Sequence, residues 1–443
     1  MSKSWSLPLL IHKFYSHSAG YVGNMKESRL ATTRGDVAEW VASGTVPDLL
    51  AAAQHLFPDL VDLRRLLHRF PEEGNHLPET SRIVLEALEG LPLDIVLHQT
   101  TSGIVGVLEG DHPGPVTLLR ADIDALPVTE ATGLEFASRH DGFMHACGHD
   151  LHTAMLVGAA WLLSSMRSDL VGTVLFMFQP GEEGFAGARF MLEEGLLSTV
   201  KDRPSSAFAI HVNTWTRTGV VLHRKGPQLA SADEARVTLR GKGGHASAPY
   251  LSYDPIPVAA EIVLATQTAI TRRINVFEPG VITFATVAAG TTHNVIPETA
   301  SLVATIRAVS ESTRRQLHAL INRVVPGIAA AHGVEAEVEI KMGYPVTIND
   351  PDHTTWVDTV ARDTLGNDRV VWMDSPIMAA EDWGYVLREV PGTMSFLGAC
   401  PPELEPGQAP GLHSDRAVFD EEAMITGTAL HAAIALANGN RRD

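Results

Sequence analysis

The chain has 443 residues, a formal net charge of -18 and a hydrophobic fraction of 45%. This length exceeds that of one ordinary domain and predicts two. The hydrophobic fraction excludes a globally disordered chain, and the acidic balance disfavours nucleic acid as a partner. Two cysteines make no disulfide framework and fit a reducing cytoplasm. No apolar run reaches the roughly 18 residues of a membrane span, so no membrane partner is expected.

Residues 1–45 form an extension that we expect to lie outside the fold. Its apolar run, Leu7–Ile11, loosely resembles the core of a signal peptide, but it contains Pro8 and no small-residue cleavage site follows it. We therefore expect natural translation to begin at Met25 and the protein to be cytoplasmic.

Alternating helices and strands predict an α/β domain over residues 46–227. The predicted elements are helices 47–67 and 81–88, strands 93–97, 104–108 and 116–120, helix 151–166, strand 172–178, helix 187–194 and strand 207–211. The run 172–178 is continuously apolar, as expected of a central strand that is buried on both faces. Such alternation predicts a sheet with helices on both sides.

The pattern changes near Gln228. The predicted elements are now strand 234–240, helix 255–270, strands 280–287 and 299–307, helix 312–331 and strand 335–341. This order is the split βαβ arrangement of ferredoxin-like domains. Because α/β character returns after Pro345, we predict a ferredoxin-like α+β domain, residues 228–341, inserted into a discontinuous α/β domain, residues 46–227 and 342–443.

The first candidate site lies in the segment His145-Ala-Cys-Gly-His-Asp-Leu-His152. The thiolate of Cys147 and the imidazole of His149, two residues apart, are good ligands for a borderline metal ion. A surface loop with a buried free thiol is the alternative, and the segment alone does not decide between the two.

Further candidates follow predicted strands. Glu182 and Glu183 come directly after strand 172–178, and ligands of open α/β sheets gather at the carboxyl ends of strands. One of these carboxylates could bind a cation while the other acts as a base; the alternative is a pair of acids favoured by a helix dipole. Other polar residues at strand ends or near the C-terminus are Asp122, Asp124, His211 and His413. Together these residue types form the layout of a metal hydrolase site.

Seven motif segments follow one another over about residues 47–438. They are LRADIDALPVTE (119–130), MHACGHDLHT (144–153), FQPGEEGFAGA (178–188), GKGGHASAP (241–249), HNVIP (293–297), AEDWGYVLREVPGTMSFLG (380–398) and LHS (412–414). Together, in this order, they resemble the metallo-amidohydrolases. This group includes hippurate hydrolase, plant auxin-conjugate hydrolases and bacterial N-acyl-amino-acid amidohydrolases, and belongs with aminoacylase and glutamate carboxypeptidase in one co-catalytic metallopeptidase family.

The resemblance implies two divalent metal ions in a phosphorylase/hydrolase-like catalytic domain. Glu182 would be the general base, and Asp122 and Asp124 would orient the site without binding metal. His152 would either support the site or merely pack. The implied metal ligands, with the first one bridging the ions, are Cys147, His149, Glu183, His211 and His413.

The resemblance also implies that the inserted domain carries the contacts of a homodimer and closes over the substrate. His245 would reach the partner subunit's site and bind the developing oxyanion, with Asn294 nearby. Arg307 would hold the substrate carboxylate, or is an ordinary surface arginine. Tyr250 and Trp383 stand where many relatives carry histidine and phenylalanine, and we expect them to shape the pocket.

The expected reaction is metal-dependent hydrolysis of the amide bond of small N-acyl amino acids by a metal-bridging hydroxide. A dipeptidase or carboxypeptidase of the same family is the alternative, but dipeptidase relatives usually present histidine and aspartate where Cys147 and His149 stand. A non-catalytic metal-binding scaffold and a hydrolase with Cys147 as nucleophile are further alternatives. Zinc suits the implied ligands, and manganese, cobalt or nickel can occupy such mixed sites.

Overall fold

The structure, a computed structural model, describes residues 48–441. The predicted extension, residues 1–45, lies outside this part of the chain. The first elements are α1 (Leu49–Arg69), α2 (Pro78–Leu88), β1 (Asp94–Leu97), β2 (Ile104–Glu109), β3 (His112–Asp122), α3 (His149–Ser165), β4 (Val171–Gln179), α4 (Gly187–Glu193), β5 (Ser206–Arg217), β6 (Val221–His223) and β7 (Gly226–Leu229).

A smaller, four-stranded sheet follows. Its region contains β8 (Asp233–Arg240), β9 (Gly244–His245), α5 (Pro255–Arg273), β10 (Gly280–Ala289), β11 (Val295–Ile296), β12 (Thr299–Ala308), α6 (Glu311–Ala331) and β13 (Glu335–Lys341). The sheet has the order β10-β12-β8-β13, and all neighbouring strands are antiparallel. The four long strands and two helices therefore have the predicted ferredoxin-like arrangement.

The chain then returns to the larger sheet. The last elements are β14 (Thr347–Asn349), α7 (Pro351–Leu365), β15 (Val370–Trp372), α8 (Gly384–Leu387), β16 (Gly392–Cys400) and α9 (Ala423–Gly439). The completed eight-stranded sheet has the order β1-β2-β4-β3-β5-β16-β6-β15. The neighbours β4, β3, β5 and β16 run parallel, so their carboxyl ends meet at one edge. The predicted fold class, an α/β domain with an inserted α+β domain, is confirmed.

The larger sheet separates two apolar cores. Alternate side chains of β5 face opposite sides of the sheet: Phe208 and Ile210 pack into a core with α1, α3 and α9, whereas Ala207 and Ala209 face a core that contains Met394. The smaller sheet packs a third core against α5 and α6. No helix among residues 48–441 is long and apolar enough to cross a lipid bilayer.

Helix α3 brings its first turn to the carboxyl edge of the larger sheet. Nearly all its residues are buried, as expected of a helix that is apolar on most faces. It begins after Gly148, which has a φ of 81° and where an added Cβ would lie 2.5 Å from the side chain of Val212. Only glycine fits this close approach with a left-handed backbone. The turn therefore sets His149 beside β5.

The segments that enter and leave the smaller sheet are joined to each other. Strand β7 pairs with β14, and within the next few residues Asp233 accepts hydrogen bonds from the Gly343 amide (2.9 Å) and from two nitrogens of Arg314 (2.6 and 2.8 Å). Burial raises the pKa of Asp233, but Arg314 and His318 outweigh it and hold the pKa below its ordinary value. The predicted limits of the inserted domain, 228 and 341, stay a prediction.

We expect Asp233→Asn to destabilise the fold by about 3–5 kcal/mol, because it leaves the buried guanidinium of Arg314 without its main counter-charge. A carboxylate with a depressed pKa in the folded state stabilises above its unfolded pKa and loses this effect as the pH falls through the folded value. The difference in the free energy of unfolding between the variant and the natural protein should therefore be constant at neutral pH and shrink below about pH 4. Urea denaturation at several pH values measures it.

Glu234→Gln is the matched control for this substitution. Glu234 and Arg236 both lie on β8, and their side chains form an ion pair. The Glu234 side chain is 38% exposed and the Arg236 side chain is 60% exposed. Exposed pairs contribute about 0–1 kcal/mol. An equal loss of stability in the two variants would contradict the special role of Asp233.

Candidate metal centre

The five predicted ligands come from four separate segments and meet at the carboxyl edge of the larger sheet. Cys147 Sγ lies 3.4 Å from His211 Nε2, and Glu183 Oε1 lies 3.2 Å from His413 Nε2. The same oxygen lies 3.9 Å from His149 Nε2. Cys147 belongs to two groups of three residues whose donor atoms all lie within 4.8 Å of one another. One group contains His149 and His211, and the other contains Glu183 and His413. Its sulfur is thus placed where it can serve two ions.

Hydrogen bonds leave one nitrogen of two of these histidines free for a metal ion. His149 Nδ1 donates to the carbonyl of Asp124 (2.9 Å), and His211 Nδ1 donates to the carbonyl of Val212 (2.7 Å). In the neutral form of each ring the Nε2 atom therefore carries the lone pair. His149 Nε2 and Glu183 Oε1 are buried and have no hydrogen-bond partner among residues 48–441. A cation would satisfy both atoms, so this donor set fits a metal ion.

The charges around these atoms also favour a cation. Burial lowers the pKa of His149, but the carboxylates of Asp122 and Asp124 outweigh it and raise the pKa to about 10. Burial, together with the carboxylates of Glu183 and Glu182, raises the pKa of Cys147 well above its ordinary value. Imidazole and thiol thus hold protons that a metal ion would displace, which makes metal binding pH-dependent.

His413 is presented by a strained turn. Its φ is 66°, a conformation that residues other than glycine rarely adopt, and its amide donates to the carbonyl of Ala146 (3.0 Å). Such strain persists where the surroundings hold it and is concentrated at functional sites. The hydrogen bond fixes His413 beside the turn that carries Cys147, while the side chain stays half exposed at the mouth of the site.

Asp122, Asp124 and His152 support the predicted ligands. Val212 donates its amide to His152 Nε2 (2.8 Å), so His152 Nδ1 carries the proton and donates to Asp122 (2.5 Å). Both nitrogens of His152 are therefore engaged, and the ring joins α3 to β5 instead of facing a metal ion. Asp124 accepts from the amide of Glu183 (3.0 Å) as well as from His149. That His152 supports the metal site stays a prediction.

Motif analysis missed a buried charge cluster that lies behind the site. Its centre is Arg120, which is fully buried and stacks over the ring of Trp383 (5.8 Å). The groups to which its guanidinium donates are Asp122, Gln179, Glu381 and Asp382. These residues lie in motifs identified in the sequence. No local spacing, however, shows that Arg120 meets Glu381 and Asp382, which lie some 260 residues away in the chain. Trp383 is fully buried in a core of the larger sheet, and the expectation that it shapes the pocket stays a prediction.

Glu182 lies next to this cluster, and the charges of the cluster shift its pKa. Burial, with the nearby carboxylates of Glu381 and Glu183, raises the pKa of Glu182 well above its ordinary value. The Tyr344 hydroxyl, a second contact that motif analysis missed, bonds the backbone of the loop that follows Glu182. Glu182 is only 6% exposed, so its carboxylate is largely shielded from water. A carboxylate that binds a proton readily is suited to proton transfer near neutral pH.

The three candidates from the region of the smaller sheet lie apart from the metal ligands. His245 pairs with Val295 between β9 and β11, and the amide of Ala246 donates to the carbonyl of Asn294 (3.1 Å), so Asn294 lies beside His245 as expected. Arg307 lies half buried on β12 and donates to Thr305 (3.1 Å). Within the described chain, no hydrogen bond or ion pair joins these three residues to the metal ligands.

Tyr250 lies in a short turn near His245. Its side chain is 84% exposed and contributes to no core of the described structure. The expectation that Tyr250 shapes a substrate pocket therefore stays a prediction.

Comparisons with known proteins identify the family. The family model of "Peptidase family M20/M25/M40" matches residues 118–437. Thermostable carboxypeptidase 1 of Saccharolobus solfataricus is 35% identical, over 86% of this chain and 96% of its own. N-acetylcysteine deacetylase of Bacillus subtilis is 36% identical, over 85% of this chain and 96% of its own.

A solved structure shares the whole architecture. The YXEP protein of Bacillus subtilis, described as a dinuclear metal-binding peptidase of the M20 family, superposes with a TM-score of 0.74 at 33% identity and covers 87% of this chain and 98% of its own. The predicted family and enzyme class are confirmed. The chain belongs to peptidase family M20/M25/M40 and is a hydrolase of amide bonds.

Proposed function

We propose that this enzyme cleaves the amide bond of small N-acyl amino acids with two divalent metal ions. The observation that carries the proposal is the meeting of one thiol, three imidazoles and one carboxylate, among which His149 Nε2 and Glu183 Oε1 are buried without a hydrogen-bond partner in residues 48–441. A deacetylase of N-acetylcysteine among the relatives and a dinuclear metal-binding structural neighbour support it. The proposed ligands are Cys147, His149, Glu183, His211 and His413.

When bound, such ions supply an acidified water and a Lewis acid for the amide carbonyl. Glu182 takes the proton of the attacking water and passes it to the departing amine. Its position beside Glu183, with a raised pKa caused by burial and neighbouring carboxylates, supports this role. The carbonyl of Asp124 keeps His149 in its ligand tautomer, and Asp122 holds His152, which binds the amide of Val212 next to His211.

His245 is proposed to bind the developing oxyanion in the partner subunit's site. Its Nδ1 accepts from the amide of Ser247 (3.1 Å) and lies 2.8 Å from the Ser247 hydroxyl. An amide N–H can only donate, so Nδ1 carries the lone pair and Nε2 carries the proton. The exposed Nε2–H is then a donor for an oxyanion.

A homodimer through the smaller sheet would bring this donor to the partner subunit. Strand β10 is an edge strand, and edge strands pair readily with other chains. Apolar side chains around it are exposed, with Leu264 at 70%, Phe277 at 89% and Val287 at 54%. Exposed apolar groups of this kind mark interaction surfaces and support the dimer.

Arg307 is proposed to hold the substrate carboxylate. It forms no ion pair within residues 48–441, and burial lowers its pKa. A half-buried guanidinium without a carboxylate partner is available to an anionic ligand. In a chain with a net charge of -18, an anionic substrate needs such a local cation.

A carboxypeptidase is the second candidate, since a relative of that name is 35% identical. Hydrolysis by Cys147 as a nucleophile has less support, because the surrounding carboxylates and burial raise the pKa of its thiol and so disfavour the thiolate. Zinc suits the donor set, and manganese, cobalt and nickel also bind such mixed sites.

A substrate panel with and without chelator tests the reaction. We expect N-acetyl, N-benzoyl and indole-acyl amino acids to be hydrolysed faster than dipeptides, and chelator to abolish turnover until zinc or manganese is added back. Faster cleavage of dipeptides or C-terminally extended peptides would favour the carboxypeptidase. Full activity of the metal-free protein would overturn the metal mechanism.

Glu182→Gln should retain metal and lose about 10²–10⁴ in turnover, the usual contribution of a general base. Metal analysis and single-turnover kinetics on one preparation check both statements. Glu193→Gln, at the exposed end of α4, is the control, because it removes one carboxylate far from the ligands. Turnover of Glu182→Gln within a few-fold of the control would exclude Glu182 as the base.

Mixing two inactive variants tests the action of His245 across the dimer. His245→Ala and Glu182→Gln should each be inactive, and subunit exchange should restore about a quarter of natural activity, since half the dimers regain one of two sites. Native mass spectrometry confirms the exchange. The double variant mixed with His245→Ala is the control and should stay inactive. Exchange without recovered activity would remove the trans role.

A further inference from the structure

The loop between β4 and α4 holds both neighbouring glutamates in a strained backbone. Gly181 and Gly184 have φ values of 66° and 93°, and Ala186 has a φ of 56°. Ala186 and His413 are the two non-glycine residues with positive φ among residues 48–441. For a residue with a Cβ this conformation costs about 1–2 kcal/mol, so it persists only where neighbouring groups hold it.

One hydroxyl group binds three peptide groups of this loop, beside the loop's own bonds from Gly184 to Glu182 (2.7 Å) and from Gly187 to Gly181 (3.1 Å). The Tyr344 hydroxyl accepts from the amides of Gly184 (2.8 Å) and Ala186 (3.1 Å), and it donates to the carbonyl of Glu182. One donor and two acceptor positions are the full capacity of a tyrosine hydroxyl. The ring is largely buried, so water does not readily replace these bonds.

Tyr344 also belongs to the junction with the smaller sheet. It lies three positions after Lys341, the last residue of β13. Its carbonyl accepts from the amide of Ala232 (3.0 Å), which directly precedes β8. The same residue therefore contacts the segment that enters the smaller sheet, the segment that leaves it and the loop of Glu182.

The bonds to the two glutamates divide between two different residues. Asp124 accepts from the amide of Glu183, whereas Tyr344 bonds the carbonyl of Glu182 and the amides beyond Glu183. Loss of the tyrosine hydroxyl would leave the amide of Glu183 bonded to Asp124 and the amide of Gly184 bonded to the carbonyl of Glu182 (2.7 Å). It would remove the Tyr344 bonds to Glu182, Gly184 and Ala186. Such a change would disturb Glu182 more than Glu183.

We propose that Tyr344 is a positioning residue that fixes the loop from Glu182 to Ala186 and ties its conformation to the junction of the smaller sheet. The inference rests on the proposed role of Glu182 in proton transfer. It predicts that the tyrosine hydroxyl is needed for turnover although it lies outside the set of proposed metal ligands and touches no reacting atom.

The test compares Tyr344→Phe with Tyr385→Phe. The two rings are neighbours, with centroids 6.2 Å apart, and the Tyr385 hydroxyl donates only to the carbonyl of Gly343 (3.2 Å). Each variant loses one hydroxyl and keeps its ring. With saturating metal, Tyr344→Phe should lower kcat by about 10- to 100-fold and leave KM within about 2-fold, as expected for the loss of three hydrogen bonds that orient a base. Tyr385→Phe should keep the natural kcat within about 2-fold.

Amide hydrogen exchange gives a readout that needs no substrate. In the natural protein the amides of Gly184 and Ala186 should exchange slowly, and in Tyr344→Phe they should exchange at least about 10-fold faster, while the amide of Glu183 changes little. Metal content and melting temperature are measured for both variants. A purely structural role would lower the melting temperature of Tyr344→Phe without this local change and without a selective fall in kcat.

Each outcome bears on one claim. Natural kcat and unchanged exchange in a folded Tyr344→Phe would overturn the inference. Fast exchange of Gly184 and Ala186 in the natural protein would overturn it even if the variant did not fold. Failure of the natural protein to cleave any amide in the panel would sink the proposed function instead, and the exchange experiment would still decide whether Tyr344 holds the loop.

Discussion

An excess of buried negative charge at one edge of the larger sheet is the constraint on which the rest of the site depends. Arg120 lies behind this edge and offsets part of the charge through its bonds to three carboxylates. Buried carboxylates repel one another and favour protonation unless a cation is near. Protons on His149 and Cys147 meet part of this demand, and metal ions would replace those protons. The acids that create this demand are Asp122, Asp124, Glu182, Glu183, Glu381 and Asp382.

Much of this architecture could be predicted from local sequence patterns. The alternation of strands and helices, the apolar run 172–178 and the β-α-β-β-α-β order of the insertion depend on neighbouring residues, and the structure contains the elements they predict. The chemistry of Cys147, His149 and Glu183 could also be anticipated, because short motifs place them at the ends of elements. Their distances to His211 follow from the parallel order of β4, β3 and β5, and their distances to His413 follow from the hydrogen bond of its amide to Ala146.

Other features depend on contacts between distant parts of the chain, which no local pattern shows. Arg120 meets Glu381 and Asp382 because β3 and the segment before α8 are brought together by the sheet. Burial of Trp383 follows from the same packing. The tryptophan that stands where many relatives carry phenylalanine therefore lies in a core of the protein. Arg307 lies on the smaller sheet and His245 on the two-stranded sheet of β9 and β11 that follows β8 in the chain, and their proposed partners belong to another subunit or to the substrate.

Two adjacent glutamates are proposed to perform different chemistry because their backbone groups are held by different parts of the molecule. Asp124, from the end of β3, binds the amide of Glu183, and His149 binds the same aspartate, so ligand and loop share one support. Tyr344, from the junction with the smaller sheet, binds the carbonyl of Glu182. A rotation of the smaller sheet would therefore act first on Glu182 through Tyr344, while Asp124 keeps Glu183 at the metal ligands. In the proposed mechanism, metal binding would therefore depend on the larger sheet, and proton transfer would depend on the junction with the smaller sheet.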